Sequence, residues 1–156
     1  RAYFNEEISR IERGRIFPIS IFMTDLDGLK EVNDDLGHSA GDELLKRTAL
    51  LLRSSFRSED VVARIGGDEF AVLLPGADEN AAQAAMTRVR RNLQAMNEKM
   101  GDPILSLSFG VATGQKGVSL EEVLRKADEN MYAEKLAKLG RKARGTGPLS
   151  GQGYLP

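Results

Sequence analysis

The chain has no cysteine, no long apolar run and no excess of charge of one sign. Without cysteine it has no disulfide framework, so its composition does not indicate an oxidising compartment. No apolar run approaches the roughly 18 to 20 residues that span a bilayer. We therefore expect a domain without membrane contact that lies in the cytoplasm, either alone or as the cytoplasmic part of a larger, membrane-anchored protein.

The charges of the chain nearly cancel, since 22 basic and 23 acidic residues give a formal net charge of -1. Such a chain lacks the strong positive field of a nucleic-acid-binding protein, so we expect no nucleic acid among its partners. Its 156 residues are enough for one domain with a substantial hydrophobic core.

The most informative segment is a pair of glycines between two short apolar runs. Gly66 and Gly67 separate residues 61–65 from residues 70–74. This pattern predicts a β-hairpin with the glycines at its tip. Both are compatible with an ordinary turn, and also with close approach of a phosphate or ribose to backbone N–H groups.

Carboxylates lie beside this hairpin and at the end of another apolar run. Asp68 and Glu69 follow the two glycines directly, whereas Asp25 and Asp27 follow the run at residues 19–23. Ionised carboxylates repel one another at neutral pH unless a cation lies between them, and Mg²⁺ prefers such hard oxygen ligands. We therefore expect three carboxylates to converge on a divalent cation.

Apolar periodicity predicts the order of helices and strands along the chain. The predicted elements are a helix over 4–14, a buried strand over 16–24, a helix over 41–56, the hairpin from Asp60, a helix over 78–100, a strand over 104–112 and a helix that begins at a Ser119–Glu122 capping box. This order predicts an α+β fold with a ferredoxin-like antiparallel sheet, covered by helices on one face, whose first strand lies beside the hairpin. Residues 141–156 are rich in Gly, Pro, Ser and basic residues, which predicts a flexible tail.

The segment Arg64–Phe70, Arg-Ile-Gly-Gly-Asp-Glu-Phe, resembles the signature of the GGDEF family of diguanylate cyclases. Further matches in the family's order and spacing extend over nearly the whole chain, at residues 25–30, 32–34, 37–38, 41–42, 108–112 and 127–132. The resemblance implies the palm-like fold of nucleotide cyclases over residues 1–140, in a domain truncated at its N-terminus. It also implies that a homodimer condenses two GTP into cyclic di-GMP and two pyrophosphates, and that the full-length protein carries sensory or output domains.

The resemblance further implies the metal and catalytic residues. It assigns Mg²⁺ or Mn²⁺, two ions per active half-site, to Asp25, Asp68 and the Leu26 carbonyl. Asp68 and Glu69 are implied as catalytic residues. Either of them helps to remove the hydroxyl proton or holds the second cation, and the sequence alone does not divide these roles.

A GTP site is implied between the first strand and the following helix. Asn33 and Asp42 match the family's guanine readers, and a carboxylate can accept hydrogen bonds from the guanine ring N–H and amino group. The alternative role for both is to mark the ends of helices, with Asn33 near the end of one helix and Asp42 near the start of another. Lys30 and Lys135 match phosphate-binding positions, and His38 is expected to be a packed or hydrogen-bonded wall of the pocket. With the tip glycines, the implied GTP site comprises Lys30, Asn33, His38, Asp42, Gly66, Gly67 and Lys135.

An Arg-x-x-Asp pair, Arg57 and Asp60, precedes the hairpin. On its own such a pair is most often a surface ion pair. The family uses this spacing as an inhibitory site for cyclic di-GMP, with Arg88 in the position of a supporting arginine. The alternative function is a catalytically silent receptor for GTP or cyclic di-GMP that regulates an attached phosphodiesterase or output module. An eroded signature would favour the receptor, and this signature is intact.

Overall fold

The computed structural model describes residues 2–14 and 16–145. The elements in chain order are α1 (Ala2–Gly14), β1 (Ile19–Leu26), α2 (Leu29–Leu36), α3 (His38–Ser55), β2 (Val61–Arg64), β3 (Glu69–Pro75), α4 (Glu79–Met100), β4 (Leu107–Gly114) and α5 (Leu120–Gly145). None of the described helices is both long and apolar enough to cross a membrane.

The four strands form one antiparallel sheet in the order β2-β3-β1-β4. This order confirms the predicted ferredoxin-like arrangement, in which the first strand lies beside the second strand of the hairpin. Since β1 runs antiparallel to β3, the last residues of β1 lie next to the first residues of β3. The end of β1 therefore meets the tip of the hairpin.

Helices cover both faces of the sheet, so the expected one-sided covering is wrong. On one face Phe22 and Val72 pack with Leu51 of α3 and Val89 of α4. On the other face a second core contains strand and helix residues that include Ile21, Leu73, Ile11 and Ala127. All eight residues of β1 are buried for this reason, which explains why its sequence is apolar throughout rather than alternating.

Several element bounds differ from the predicted ones. The strand expected from residue 16 begins at Ile19, after Pro18, and the strand expected from residue 104 begins at Leu107. The helix α2 was not predicted as an element, because its eight residues carry only three apolar side chains, Leu29, Val32 and Leu36, and none of them is fully buried. Its start depends on Gly28, which adopts the left-handed conformation with φ +70°.

The last helix α5 packs on β4 at unusually close range. A Cβ atom added at Gly110 of β4 would lie 2.1 Å from the Ala127 carbonyl oxygen and 2.2 Å from the Met131 nitrogen. Glycine at this position therefore permits backbone contact between strand and helix. Residues 141–145, expected to belong to a flexible tail, are the end of α5, and the rest of the expected tail, residues 146–156, lies outside the described residues.

Candidate active site

The predicted meeting of residues 25 and 68 is confirmed. Asp25 is paired with Glu69 in the β1–β3 register, and the Leu26 N–H donates to the Asp68 carbonyl oxygen at 2.9 Å. The Asp25 and Asp68 carboxyls are close enough for each to influence the other's ionisation. The end of the central strand and the hairpin tip thus form one acidic corner.

The Asp25 carboxyl has one paired oxygen and one unpaired oxygen. Its Oδ2 accepts a hydrogen bond from Lys135 Nζ of α5 at 2.9 Å, whereas its Oδ1 is buried and has no hydrogen-bond partner among the described residues. Burial raises the pKa of Asp25, the Lys135 hydrogen bond opposes this, and the neighbouring Asp68 carboxylate raises the pKa further. A buried, unpaired oxygen next to a second carboxylate favours a bound cation.

The backbone geometry of Leu26 suits a third oxygen ligand. The Asp27 N–H donates to the Ser106 carbonyl of the loop that leads into β4, at 2.9 Å. Because the carbonyl and N–H of a trans peptide point in opposite directions, the Leu26 carbonyl is directed away from β4, toward the side of the hairpin. Leu26 also lies one residue beyond the last β1–β3 pair, Asp25 with Glu69.

Asp25, Asp68 and the Leu26 carbonyl fit a magnesium ion, but with fewer carboxylates than expected. Residues 2–14 and 16–145 contain no group of three or more His, Asp or Glu side chains placed to hold a metal ion, so the expected convergence of three carboxylates is wrong. The Glu69 side chain instead lies over Gly66, where an added Cβ would be 2.5 Å from Glu69 Oε2. Two carboxylates and a carbonyl still suit Mg²⁺, which usually keeps several positions for water and substrate phosphate.

Arg64 holds the hairpin tip, a role that the sequence analysis did not predict. Arg64 Nε donates to the Gly66 carbonyl at 3.1 Å, and the Arg64 terminal NH2 donates to the Gly67 carbonyl at 2.6 Å. A Cβ added at Gly67 would meet no atom within 4 Å, and the φ of Gly67 is outside the left-handed region. The fold therefore does not require glycine at position 67, and the space beside it is open.

The predicted guanine readers lie at the junction of α2 and α3. Asn33 Oδ1 is buried without a hydrogen-bond partner in the described part of the chain, and a Cβ at Gly41 would lie 1.9 Å from it. Asp42 follows Gly41 and is exposed. The Gly37 N–H closes the end of α2 on the Asn33 backbone carbonyl, at 2.9 Å, and the N-cap of α3 has no side-chain hydrogen bond. The side chains of Asn33 and Asp42 are therefore not used as helix caps.

Two other predicted substrate residues are exposed near these readers. Lys30 lies in the first turn of α2, and His38 is the first residue of α3. His38, expected to be a packed or hydrogen-bonded wall of the pocket, is exposed and directly follows Gly37, whose φ is +86°. Both side chains face solvent, where a bound nucleotide can reach them.

Arg57 and Asp60 form a tight turn rather than an ion pair. Asp60 Oδ2 accepts from the Arg57 backbone N–H at 2.8 Å, and the Arg57 side chain is 73% exposed. Burial raises the pKa of Asp60, although the Arg57 N–H and the nearby charge of Arg88 oppose that effect. The turn borders a cleft of about 490 Å³ that Tyr3, Arg10 and Arg53 also line.

Comparison with known proteins identifies the family. The family described as "Diguanylate cyclase, GGDEF domain" matches residues 1–141. The chain belongs to the GGDEF family. Diguanylate cyclase DosC of Escherichia coli K12 is 36% identical over 135 residues, which are 85% of this chain and 29% of DosC. The chain therefore spans under a third of the length of this curated relative.

Solved GGDEF domains have the same fold. The GGDEF domain of YfiN, also called TpbB, from Pseudomonas aeruginosa gives a TM-score of 0.78 at 35% identity, covering 88% of this chain and 89% of that one. The GGDEF domain of DgcB from Caulobacter crescentus, solved in complex with c-di-GMP, gives 0.76 at 25% identity, covering 88% and 85%. The palm-like fold implied by the sequence is thus confirmed.

Asp27 of this GGDEF domain lies two residues after Asp25, but its carboxylate is held by hydrogen bonds from β4, the loop before it and α5. Its carboxylate accepts from Ser106 Oγ at 2.8 Å, from Ser108 Oγ at 2.7 Å and from Lys138 Nζ at 3.0 Å. Lys138 also donates to the Leu107 carbonyl. These contacts join the end of β1 to β4 and α5, and none of the partners is close to Asp27 in sequence.

We expect Asp27→Asn to remove an acid-sensitive part of the stability. Burial acts to raise the pKa of Asp27, but hydrogen bonds from Ser108, Ser106 and Lys138 outweigh it and lower the pKa below its ordinary 3.8. A lowered pKa means that ionised Asp27 stabilises the fold above pH 3.8 and that this contribution is lost as the pH falls through the folded-state pKa. Loss of charged hydrogen bonds should cost about 1.5 to 3 kcal/mol at neutral pH.

Urea unfolding in EDTA at a series of pH values measures this difference. The difference in the free energy of unfolding between wild type and Asp27→Asn should be largest at neutral pH and should become smaller below pH 3.8. Asp128→Asn, which changes an exposed carboxylate of α5, is the matched control, and its free energy of unfolding should stay close to that of the wild type at every pH. A difference in the free energy of unfolding between wild type and Asp27→Asn that stays constant across the pH range would contradict the prediction.

Proposed function

We propose that this GGDEF domain is a diguanylate cyclase that condenses two GTP into cyclic di-GMP and two pyrophosphates. The 3′-hydroxyl oxygen of each GTP bonds to the α-phosphorus of the other, the bond from that phosphorus to pyrophosphate breaks, and the hydroxyl proton passes to a base. The observation that carries the proposal is the contact between the ends of β1 and β3, which brings Asp25 and Asp68 together beside the glycine tip. The name of the relative DosC supports it.

Asp25, Asp68 and the Leu26 carbonyl would hold Mg²⁺ or Mn²⁺, two ions per half-site. When bound, the ions neutralise charge that develops on the transferring phosphate. Asp68 and Glu69 are the acidic residues nearest the tip, and one of them accepts the hydroxyl proton. The position of Glu69 Oε2 over Gly66, at the tip itself, favours Glu69 for this role.

Asn33 and Asp42 would bind the guanine, and the lysines would bind the phosphates. The unpaired Oδ1 of Asn33 supports this, since it gains a partner when a guanine N–H donates to it. Lys135 already lies 2.9 Å from Asp25, so its ammonium is beside the position of the triphosphate. Lys30 and His38, both exposed, complete the rim of the site.

One chain supplies one GTP site, so the second hydroxyl must come from a second copy of the domain. Product analysis of the purified domain with GTP and Mg²⁺ tests the proposal. We expect cyclic di-GMP and pyrophosphate in a 1:2 ratio, and a rate per chain that rises with protein concentration as dimers form. The absence of product at concentrations where sedimentation shows a dimer would contradict the proposed function.

Replacing Gly67 by alanine should reduce nucleotide binding without reducing stability. The added methyl group meets no protein atom within 4 Å, so it occupies the open space in which the nucleotide would lie. We expect at least a roughly tenfold loss of GTP affinity, about 1.4 kcal/mol, with an unchanged urea midpoint.

Calorimetry with GTP in the presence of Mg²⁺ measures the affinity. Gly140→Ala is the matched control, since an added Cβ there also meets nothing within 4 Å but lies on α5, away from the tip. Equal affinities for the two variants would show that the nucleotide does not approach Gly67.

Feedback by the product is the third part of the proposal, and Arg57→Ala should abolish it. The exposed Arg57 guanidinium can form paired hydrogen bonds with a phosphate of cyclic di-GMP, with Asp60 and Arg88 beside it. We expect added cyclic di-GMP to inhibit the wild type but not Arg57→Ala, while initial rates without added product stay equal. Arg91→Ala, an exposed arginine of α4, should retain inhibition. Inhibition that persists in Arg57→Ala would refute this site.

We also propose that further sensory or output domains accompany this domain, because DosC is more than three times as long as the matched segment. We propose a cytoplasmic location as well, because the proposed substrate is GTP. Both carboxylates and both tip glycines are present, which favours catalysis over a silent receptor for the nucleotide.

A further inference from the structure

We propose that Arg64 is a positioning residue that orients the hairpin tip to bind a phosphate group of the nucleoside triphosphate. The inference rests on the proposed function, since it concerns the same substrate. Arg64 is the last residue of β2 and its side chain turns toward the tip. Its guanidinium donates to two successive carbonyls, those of Gly66 and Gly67.

The two hydrogen bonds determine the direction of the next two N–H groups. The Gly66 carbonyl shares a trans peptide with the Gly67 N–H, and the Gly67 carbonyl shares one with the Asp68 N–H. Because both carbonyls are directed at Arg64, both N–H groups are directed away from it. Successive N–H groups on one side of a turn form a concave site for an anion.

The other N–H groups of the turn are already used. Those of Ile65 and Gly66 donate to the Glu69 carbonyl, at 2.9 Å and 3.3 Å, and this closes the hairpin. The anion site is therefore made by Gly67 and Asp68. It lies beside the open space at Gly67 and next to the corner where Lys135 meets Asp25.

The chemistry of arginine explains why this side chain suits the role. A planar guanidinium presents parallel donors and can hold two neighbouring carbonyls at once, whereas a lysine ammonium acts as a point charge. Loss of the paired contact frees the two peptides to rotate. Lysine would keep the positive charge at position 64 but not this orientation, so the two residues separate positioning from charge.

Binding measured without turnover tests the proposal. The probes are 3′-deoxy-GTP, which lacks the attacking hydroxyl, and guanosine, which lacks phosphate, each titrated by calorimetry with Mg²⁺. We expect Arg64→Lys and Arg64→Met both to lose about tenfold or more in affinity for 3′-deoxy-GTP, equivalent to one or two hydrogen bonds. Their affinity for guanosine and their urea midpoints should match those of the wild type.

Arg13→Met is the control, since Arg13 is also an exposed arginine that donates to a backbone carbonyl, that of Ser9. Wild-type affinity for 3′-deoxy-GTP in Arg64→Lys would overturn the proposal in favour of a simple charge effect. Equal losses for guanosine and 3′-deoxy-GTP would overturn it too. If the wild type binds neither probe, the proposed function itself fails, which is a distinct result.

A second measurement reports the orientation directly. In the wild type, the amide resonances of Gly67 and Asp68 should shift on addition of 3′-deoxy-GTP and not on addition of guanosine. In Arg64→Lys these shifts should be lost. Shifts of the same size in both proteins would show that the tip keeps its orientation without the guanidinium and would overturn the proposal.

Discussion

Asp68→Ala is expected to abolish synthesis of cyclic di-GMP while leaving the domain folded. The Asp68 carboxylate is the second acidic group of the proposed metal site, beside the buried Asp25. A metal ion contributes several kcal/mol to stabilising the transition state, and each 1.36 kcal/mol corresponds to about a factor of ten in rate. The loss should therefore be about 10³-fold or more. Glu69→Ala should abolish synthesis as well, by removing the base or the second cation.

The stability of the Asp68 variant should not fall, and this separates it from an unfolded protein. The Asp68 carboxylate helps to raise the pKa of Asp25, which means that the two charges repel each other when no cation is bound. Removal of one charge relieves this repulsion. The contact that joins the strands is made by the Asp68 backbone carbonyl, which alanine retains.

Chromatographic quantification of product with GTP and Mg²⁺, together with urea unfolding in EDTA, measures both expectations. Glu121→Gln, which neutralises an exposed carboxylate in the first turn of α5, is the control and should retain full activity. An Asp68→Ala protein that makes cyclic di-GMP within tenfold of the wild-type rate would refute the assignment of Asp68.

Gly110→Ala should cause a large loss of stability. Its methyl group would have to occupy space 2.1 Å from a backbone oxygen and 2.2 Å from a backbone nitrogen of α5. A helix backbone cannot move aside as a side chain can, so α5 must shift as a unit. Overpacking of this kind costs typically 1 to 3 kcal/mol and occasionally more, and we expect about 3 kcal/mol or more here.

Gly114→Ala provides the matched control on the same strand. An added Cβ there would meet a methyl group of Val123 at 2.5 Å, and this side chain can change rotamer. We expect the urea midpoint of Gly110→Ala to fall clearly below that of Gly114→Ala at equal m-value. Equal midpoints would show that α5 adapts without cost. A shifted α5 should also weaken GTP binding, because it carries Lys135.

The strand order and the meeting of residues 25 and 68 were predictable because they depend on local patterns. The apolar run of β1, the glycine pair and the helical period of α4 are each visible in a short window of sequence. Their order then allows few arrangements of the sheet. The covering of both faces was missed, although the largely apolar run of β1 is typical of a strand that is buried on both faces.

The different fates of Asp25 and Asp27 could not be predicted from the sequence. Both are acidic and follow the same apolar run, two residues apart, so the local pattern does not distinguish them. What separates them is Ser106, Ser108 and Lys138, about 80 to 110 residues farther along the chain. The helix α2 was missed for a different reason, since its eight residues make little more than two turns and carry only three apolar side chains, Leu29, Val32 and Leu36.

The close contact at Gly110 also determines where α5 can tolerate changes in length. Met131 is fixed against the strand, and Lys135 and Lys138 follow it by one and two turns of helix. One inserted residue between Met131 and Lys135 would rotate both ammonium groups by about 100° around the helix axis, away from their carboxylates. Insertions beyond Lys138 would move neither group. The length of α5 beyond Lys138 can therefore vary without disturbing the acidic corner.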